Sequence, residues 1–306
     1  MSAFAAAFQN LNPVFDRELR QRSRSGRSVI LLSLLLTALT GILYVAHLAV
    51  TQESRNQFNG GQEMVTNTAG AVMFESVLFV ELALLLLIIP GISSGAISGE
   101  RDRQTLIPLQ VTLLGRFGIF MGKVGASSSF VLLLIIASAP LLAIPYLLGG
   151  ISLTRIMLGI VTTLLTGITY ATLGVSCSAF FRRTQTATLM SYLIVFLAIF
   201  GSLVIWVVIN IVRSAQGDFS PAPSWPMLIN PFVGVADAAG DFTNDFSSFP
   251  GPFSGLKQGF FGDNWDGRIA SNQPNWLYSL AVQITFTGAW VVLGLRKLRL
   301  PQKEID

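Results

Sequence analysis

Cysteine and histidine are almost absent from this chain of 306 residues. Cys177 is its only cysteine and His47 is its only histidine. A single cysteine excludes an intrachain disulfide and any zinc site built on several cysteines. A single histidine excludes the metalloprotease helix that needs two. We therefore expect the chain to hold no metal and no cofactor of its own.

Charged side chains are also scarce. Asp, Glu, Lys and Arg make up 12% of the chain, against roughly 25% in globular domains. Hydrophobic residues reach 52% and mean hydropathy is +0.62, so there is too little charge to cover a surface that faces water. Residues 28–50 carry no charge, and a helix of that length extends about 34 Å, enough to cross a hydrocarbon core of about 30 Å. The composition predicts an all-α polytopic membrane protein.

Six apolar segments of sufficient length predict six transmembrane helices. The third segment contains Pro140 and Pro145, so we expect either a kink or a helix that ends near Pro145. Spans one to five belong to a region over 28–212, and the sixth span with its tail occupies 276–306. The segments are 28–50, 71–94, 117–148, 157–180, 188–212 and 276–295.

Basic residues are distributed unequally between the two sides of these spans. The side of both termini carries 15 Lys and Arg residues, and the other side carries 5. Because the side richer in Lys and Arg is normally cytoplasmic, we expect both termini in the cytoplasm and the spans in the cell (inner) membrane. The net charge is only +4 and the basic residues lie at span ends, so we expect no nucleic-acid partner.

Two segments outside the spans have patterns of their own. Residues 1–27 predict an amphipathic helix at the membrane interface, because an apolar stripe recurs at three- and four-residue steps and arginines occupy other faces. Residues 213–275 form a long extracytoplasmic loop rich in Phe, Pro, Gly and Asp. Its many aromatic residues argue against disorder, so we expect a cap of short helices and turns over the outer mouth. The stripe consists of Phe4, Phe8, Leu11, Phe15 and Leu19.

The sequence lacks a phosphate-binding loop of the form GxxxxGK followed by Ser or Thr. The nearest match begins at Gly118, but only three residues separate its glycines and Val124 follows Lys123. Because that loop cradles the phosphates of bound nucleotide, any dependence on ATP must come from a separate subunit.

Small residues recur every four positions at the cytoplasmic ends of spans two and three. This spacing lets helix backbones approach closely, so we expect these two spans to pack tightly against each other there. The residues are Gly91, Gly95 and Gly99 in span two, and Gly118, Gly122 and Ala126 in span three.

Glu75 and Glu81 are the only acidic residues inside the predicted spans. An ionisable side chain at membrane depth is costly and is therefore a functional candidate. Glu75 lies near the outer end of span two, where we expect a solvated helix end. Glu81 lies about 15 Å from the start of the segment, and we expect it at a helix interface or beside a water-filled path.

The most specific pattern follows span two. Glu100, Arg101, Asp102 and Arg103 are consecutive, and apolar residues return from Leu106 onward. A short amphipathic helix near 99–112 with a charged start is suited to docking into a groove of a cytosolic partner. The same pattern also fits a solvated loop.

These residues resemble the permease subunits of type-2 ATP-binding-cassette (ABC) transporters. Residues 97–106 are similar to the family pattern S-x-E-x-E-x-x-T-L after the second span, and Gly122-Lys123 matches the start of the family's third span. The resemblance extends over the whole chain, from Asn12-Pro13-Val14 and Arg17-Glu18-Leu19-Arg20 to the long loop before the last span. The departures are Asp102 where Glu is common, Gln104 where Gly is common, and Ile107-Pro108.

The resemblance implies a half-transporter that pairs with a second permease copy or a paralogue. Two cytosolic ABC ATPase subunits would bind ATP and Mg²⁺ and drive a coupling helix, with transport usually directed outward. The residues implied in coupling are Glu100, Arg101, Asp102, Arg103, Thr105 and Leu106. Scarce charge within the spans and the aromatic loop favour an amphiphilic or apolar cargo over a small ion.

Three other functions remain open at this point. A secondary transporter would use Glu81 as a proton or sodium site. An intramembrane enzyme of lipid metabolism would need clustered acids, histidines or cysteines, for which one His and one Cys are poor material. The sequence also leaves open a non-transporting membrane anchor for a cytosolic ATPase.

Overall fold

The computed structural model describes residues 15, 26–56, 62–104, 115–149, 151–217, 225–239 and 275–298. Within these ranges every regular element is a helix, and six helices are long and apolar enough to cross a membrane. The predicted all-α fold with six spans is therefore confirmed. The spans are Gly26–Asn56, Gln62–Ser93, Arg116–Leu148, Leu153–Phe180, the composite helix Thr184–Ala215, and Asn275–Lys297.

Three shorter features complete the described fold. A five-residue helix, Ser98–Asp102, follows span two and is called the junction helix below. Span five contains a π-helical turn at Leu197–Gly201 between two α-helical parts. A 3₁₀ turn, Trp225–Ile229, and a helix, Pro231–Ala239, form what we call the re-entrant segment.

Span three runs through both of its prolines and ends at Leu148, the predicted end of its apolar segment, so the helix does not stop at Pro145. Gly149 caps this end, and its φ of 89° lies in the left-handed region that glycine tolerates best. This end packs closely on span two, since a Cβ at Gly70 would collide with the carbonyl oxygen of Gly149.

Span four lies at the centre of the bundle and packs against spans two, three, five and six and the re-entrant segment. Its glycines permit close approach, because small residues let helix backbones come together. A Cβ at Gly167 would collide with Val131 of span three, and one at Gly174 would collide with the Ser93 hydroxyl of span two. Threonine and serine side chains add contacts to span six, such as the bond from Thr166 Oγ1 to Gln283 Oε1 at 3.1 Å.

The re-entrant segment lies between the spans. The Asn230 side-chain amide donates to Ile199 O and to Ser202 Oγ, each at 3.1 Å. Ile199 is halfway along the 32-residue span five, so this part of the long loop reaches the middle of the bundle and does not lie over its mouth. Short helices are present as expected, and residues 218–224 and 240–274 of the loop lie outside the described residues.

The predicted interfacial helix over 1–27 also lies almost wholly outside the described residues. Its one described stripe residue is Phe15, whose ring would lie 3.0 Å from a Cβ at Gly125 of span three.

Candidate functional site

The junction helix continues span two with only a short interruption. Residues 94–97 form turns between the two helices, and backbone bonds cross them, including Gly99 N to Gly95 O at 3.0 Å and Arg101 N to Ile97 O at 3.0 Å. Because hydrogen-bonded turns replace a flexible loop here, the junction helix and span two are mechanically connected.

Span four supplies the cap for the start of the junction helix. The Ser178 hydroxyl oxygen accepts hydrogen bonds from Ile97 N and Ser98 N, each at 2.8 Å, and donates to Ser98 Oγ at 3.1 Å. One donor and two acceptor positions are all that a serine hydroxyl offers. A helix start needs partners for its first backbone N–H groups, and a buried residue from another span provides two of them.

The charged residues 100–103, together with Thr105 and Leu106, are called the coupling motif below, and three of its four charged side chains contact neighbouring parts of the bundle. Lys123 Nζ of span three lies 3.4 Å from Glu100 Oε1, and this lysine is only 2% exposed. Arg101 Nη1 donates to the carbonyl oxygen of Phe181 at 3.1 Å, just after span four. Thr184 Oγ1, at the start of span five, donates to Asp102 Oδ2 at 2.6 Å. The motif therefore joins span two to the next three spans.

The surface left for a partner is smaller than the sequence motif. Asp102, Arg103 and Gln104 are exposed, and Gln104 has a φ of 58°. A left-handed backbone is uncommon in residues other than glycine, so Gln104 adopts a conformation that glycine would reach at lower cost. The helix ends at Asp102, so the predicted helix near 99–112 is not one continuous helix. Thr105 and Leu106, with 107–112, lie outside the described residues.

Spans two and three pack against each other as expected, but two of the small residues of span two, Gly91 and Gly95, face span five and not span three. A Cβ at Gly91 would lie 2.7 Å from the Tyr192 hydroxyl oxygen, and one at Gly95 would lie 3.5 Å from Thr184 Cγ2. Gly99 has no neighbour within 4 Å. Small-residue spacing indicates close packing but does not identify the neighbour. At this end span three meets the turn after span two through larger apolar residues, such as Phe120.

Two hydrogen bonds strengthen the contact between spans two and five. Tyr192 OH donates to the carbonyl oxygen of Leu87 at 2.6 Å, and the hydroxyls of Ser94 and Thr188 lie 2.7 Å apart. The tyrosine bond lies in the turn before Pro90, which lacks the backbone N–H that a helix interior normally uses. Neither pair was predictable from the sequence, because the two partners of each bond are about a hundred residues apart along the chain.

The two intramembrane acids lie inside the bundle. Ser138 Oγ of span three donates to Glu81 Oε1 at 2.7 Å, and both residues are buried. Glu81 is thus at a helix interface, one of its two expected positions. Glu75 is only 5% exposed, so the expected solvated helix end is wrong. Span two begins at Gln62, which places Glu75 about 20 Å along the helix.

This arrangement defines a multi-pass membrane protein with a short helix tied beneath four of its spans. Residues 13–232 match the protein family described as ABC-2 family transporter protein. The chain belongs to this family, whose members are membrane components of ABC transporters, and the expected resemblance is confirmed. None of the curated proteins matches the chain.

Proposed function

We propose that this chain is the permease subunit of an ABC exporter and that a separate cytosolic subunit hydrolyses the ATP. The observation that carries the proposal is the junction helix, which continues span two and is bonded to spans three, four and five. An ATPase that moves this helix would displace four spans together, because no flexible loop separates it from span two. The chain's own role is mechanical, and ATP and Mg²⁺ bind on the partner.

The exposed side of the junction helix is the proposed contact with the ATPase. Asp102, Arg103 and Gln104 face solvent and are suited to the polar rim of an interface, while Thr105 and Leu106 continue the contact. Glu100 and Arg101 hold the helix against the bundle and act as positioning residues. In this proposal the exposed residues bind the ATPase, whereas Glu100 and Arg101 transmit its movement to the spans.

The proposed cargo is amphiphilic or apolar. Among the described residues, the ionisable groups well inside the spans are few, chiefly Glu75, Glu81 and Lys123, and all three are buried. Glu81, which an ion-coupled transporter would use, bonds to Ser138, and this favours a packing role. Such an interior offers little to hold a small ion and much surface for an apolar molecule.

We further propose that two permeases, two copies of this chain or one with a paralogue, assemble in the inner membrane with their termini in the cytoplasm. Basic residues support this orientation, since most described Lys and Arg lie at the junction-helix end of the bundle. Cysteines introduced at Ser25 and Gln302 should react only from the cytoplasmic side, and one at Ser248 only from outside. Native Cys177 is buried and should contribute little background. Cytoplasmic labelling at Ser248 would contradict the six-span orientation.

The partner is tested by co-expression with an ATPase subunit from an adjacent reading frame, followed by co-purification and ATPase assays in lipid with amphiphilic cargoes. Arg103→Glu should weaken co-purification more strongly at low salt than at high salt, because a rim charge acts on association. Arg182→Glu, at an exposed residue of the same end, is the matched control. If both variants retain the ATPase as well as the wild type does, the junction helix is not the docking site. Recruitment without cargo-stimulated hydrolysis would favour the non-transporting anchor.

A further inference from the structure

A cavity of about 630 Å³ lies between span two, span five and the re-entrant segment. Phe79, Ala83 and Leu86 of span two form one wall, Ile199 belongs to the span-five wall, and Phe232 belongs to the re-entrant segment. The volume is within the range of about 300–1,000 Å³ typical of small-molecule sites. The rings of Phe79 and Phe232 are in contact, with centroids 4.9 Å apart.

The cavity lies at the middle of the membrane-spanning bundle. Phe79 is near the centre of the helix Gln62–Ser93, and Ile199 is near the centre of span five. Residues at these positions lie within the hydrocarbon layer, about 15 Å from either surface. Water is poorly held in a cavity with apolar walls, so an apolar occupant is favoured at this depth.

The polar groups of the lining are already bonded within the chain. Tyr192 OH donates to Leu87 O, and the Asn230 amide donates to Ile199 O and Ser202 Oγ. Asn230 Oδ1 accepts a hydrogen bond from Phe232 N at 3.0 Å. These groups therefore have few hydrogen-bonding positions left for a ligand. The surface that remains for contact is almost entirely hydrocarbon and aromatic.

One side of the cavity is bordered by residues that are open to the surroundings. Leu87 is 62% exposed, Phe196 is 54% exposed and Phe200 is 50% exposed, and all three line the cavity. Large apolar side chains exposed at this depth offer a surface that is compatible with lipid tails. Phe196 and Phe200 pack together with ring centroids 4.6 Å apart, on either side of the start of the π-helical turn. A chain from the bilayer can reach the cavity sideways past these residues.

Asn230 fixes the wall opposite this opening. Irregular backbone at membrane depth persists only where protein groups satisfy it, and Asn230 meets this need by capping the helix Pro231–Ala239 and bonding to span five. Its partner Ile199 is within the π-helical turn, an element frequent at functional sites. The cavity is therefore held open between fixed walls, as a preformed site requires.

We propose that this cavity binds one apolar chain of a membrane amphiphile, which passes into it sideways from the bilayer between Leu87 and the Phe196–Phe200 pair. The inference rests on the proposed function, because it identifies the occupant with the cargo of the transporter. The ligand is of the acyl-chain class, and its polar headgroup stays outside the cavity, where the lining supplies no charge to bind it.

The test uses the full chain in nanodiscs of phosphatidylcholine to which a single-chain amphiphile is added, a fatty acid with a photoactivatable diazirine in its chain. Adducts are mapped by mass spectrometry as the fraction of the probe increases. Adducts on Phe79 and Phe232 should saturate, because a site fills. Adducts on Ile136, an exposed residue of span three outside the cavity, should rise in proportion to the probe. Proportional labelling of Phe79 and Phe232 would overturn the proposal.

A pair of variants tests the cavity itself. Ala83→Phe fills it and should lower adducts on Phe232 by about tenfold, since overpacking a site excludes its ligand. Ala139→Phe, at an exposed position of span three, should leave them unchanged. If Ala83→Phe does not purify as a folded protein, the smaller Ala83→Leu replaces it, with a loss in the same direction. Unchanged labelling in the folded variant would overturn the proposal.

The competing occupant of the opening is a second copy of the chain, and cysteine cross-linking at Leu87 tests for it. Cross-links between copies at Leu87→Cys, together with unlabelled Phe79 and Phe232, would overturn lipid access. The labelling assay contains no ATPase, so its failure leaves the junction-helix account standing. If the ATPase is not recruited but labelling of the cavity still saturates, the transporter proposal is wrong and the lipid site is supported on its own.

Discussion

The hydroxyl oxygen of Ser178 lies 2.8 Å from the backbone nitrogen of Ser98 and accepts its hydrogen bond. Both residues are fully buried, and 80 positions separate them along the chain. Span four thereby holds the start of the helix that follows span two. The position of the junction helix depends on the centre of the bundle and not only on span two.

Removing the Ser178 cap should destabilise the junction helix. In Ser178→Ala the buried N–H groups of Ile97 and Ser98 lose their acceptor, and each buried donor left unsatisfied costs about 1–3 kcal/mol. We expect a lower Tm of the purified chain in lipid. Ser129→Ala is the matched control, because that hydroxyl bonds only within its own helix in the described contacts. Equal Tm values for the two variants would show that the cap does not support the bundle.

The ion pair of Lys123 and Glu100 should show energetic coupling. Glu100→Gln removes a charge beside a lysine that is 2% exposed, and buried charges are costly when their partner is removed. The double variant Lys123→Met with Glu100→Gln should be less destabilised than the sum of the single variants. A coupling free energy of about 0.5–3 kcal/mol is the range for residues in contact. Additive single effects, measured by thermal unfolding, would argue that the pair does not interact in the folded chain.

The close approach of span two to span five predicts different results at two glycines. Gly91→Ala places a methyl group 2.7 Å from the Tyr192 hydroxyl oxygen and should cost about 1–3 kcal/mol through overpacking. Gly99→Ala meets nothing within 4 Å and should leave the Tm unchanged. Adding Tyr192→Phe to Gly91→Ala removes the crowded oxygen and should restore part of the loss. A larger loss at Gly99 than at Gly91 would place the close contact elsewhere.

Replacement of Glu81 separates packing from ion coupling. Glu81→Gln keeps the shape and can still accept the bond from Ser138, so transport and its pH dependence should be retained. Ser138→Ala removes the bond and should lower stability by about 1 kcal/mol. Transport assays at acidic, neutral and alkaline pH make the comparison. Loss of the pH dependence in Glu81→Gln with normal assembly would revive the ion-coupled alternative.

The spans were predictable because the property that makes them helical, a long apolar run, lies within each segment. Long apolar runs such as 28–50 and 157–180 must be helical in a membrane, where each backbone group needs a partner within its own segment. The apolar run predicted the end of span three at Leu148, whereas the more conspicuous Pro145 did not mark it, because the helix continues to its cap at Gly149. A proline within a span is tolerated when neighbouring helices support it, and that support is invisible in the local sequence.

The coupling motif was predictable as a motif but not in its contacts. Its charges stood out against an apolar chain, yet the partners of Arg101 and Asp102 lie near Phe181 and Thr184, some eighty residues later. Glycine spacing in span two indicated a close neighbour without choosing between spans three and five. The re-entrant segment was expected as a cap, because its composition indicates folding but carries no information on depth.

The most direct test of whether the junction helix transmits movement is the ratio of ATP hydrolysed to cargo moved. This ratio is measured in Arg101→Met and Arg103→Met, each reconstituted with the ATPase subunit. Arg101 is bonded to Phe181 O, whereas Arg103 is exposed at the junction helix. We expect Arg101→Met to bind the ATPase normally but hydrolyse more ATP per cargo, and Arg103→Met to bind less tightly with the ratio unchanged. If both variants keep the wild-type ratio and the wild-type affinity, the junction helix does not transmit the movement.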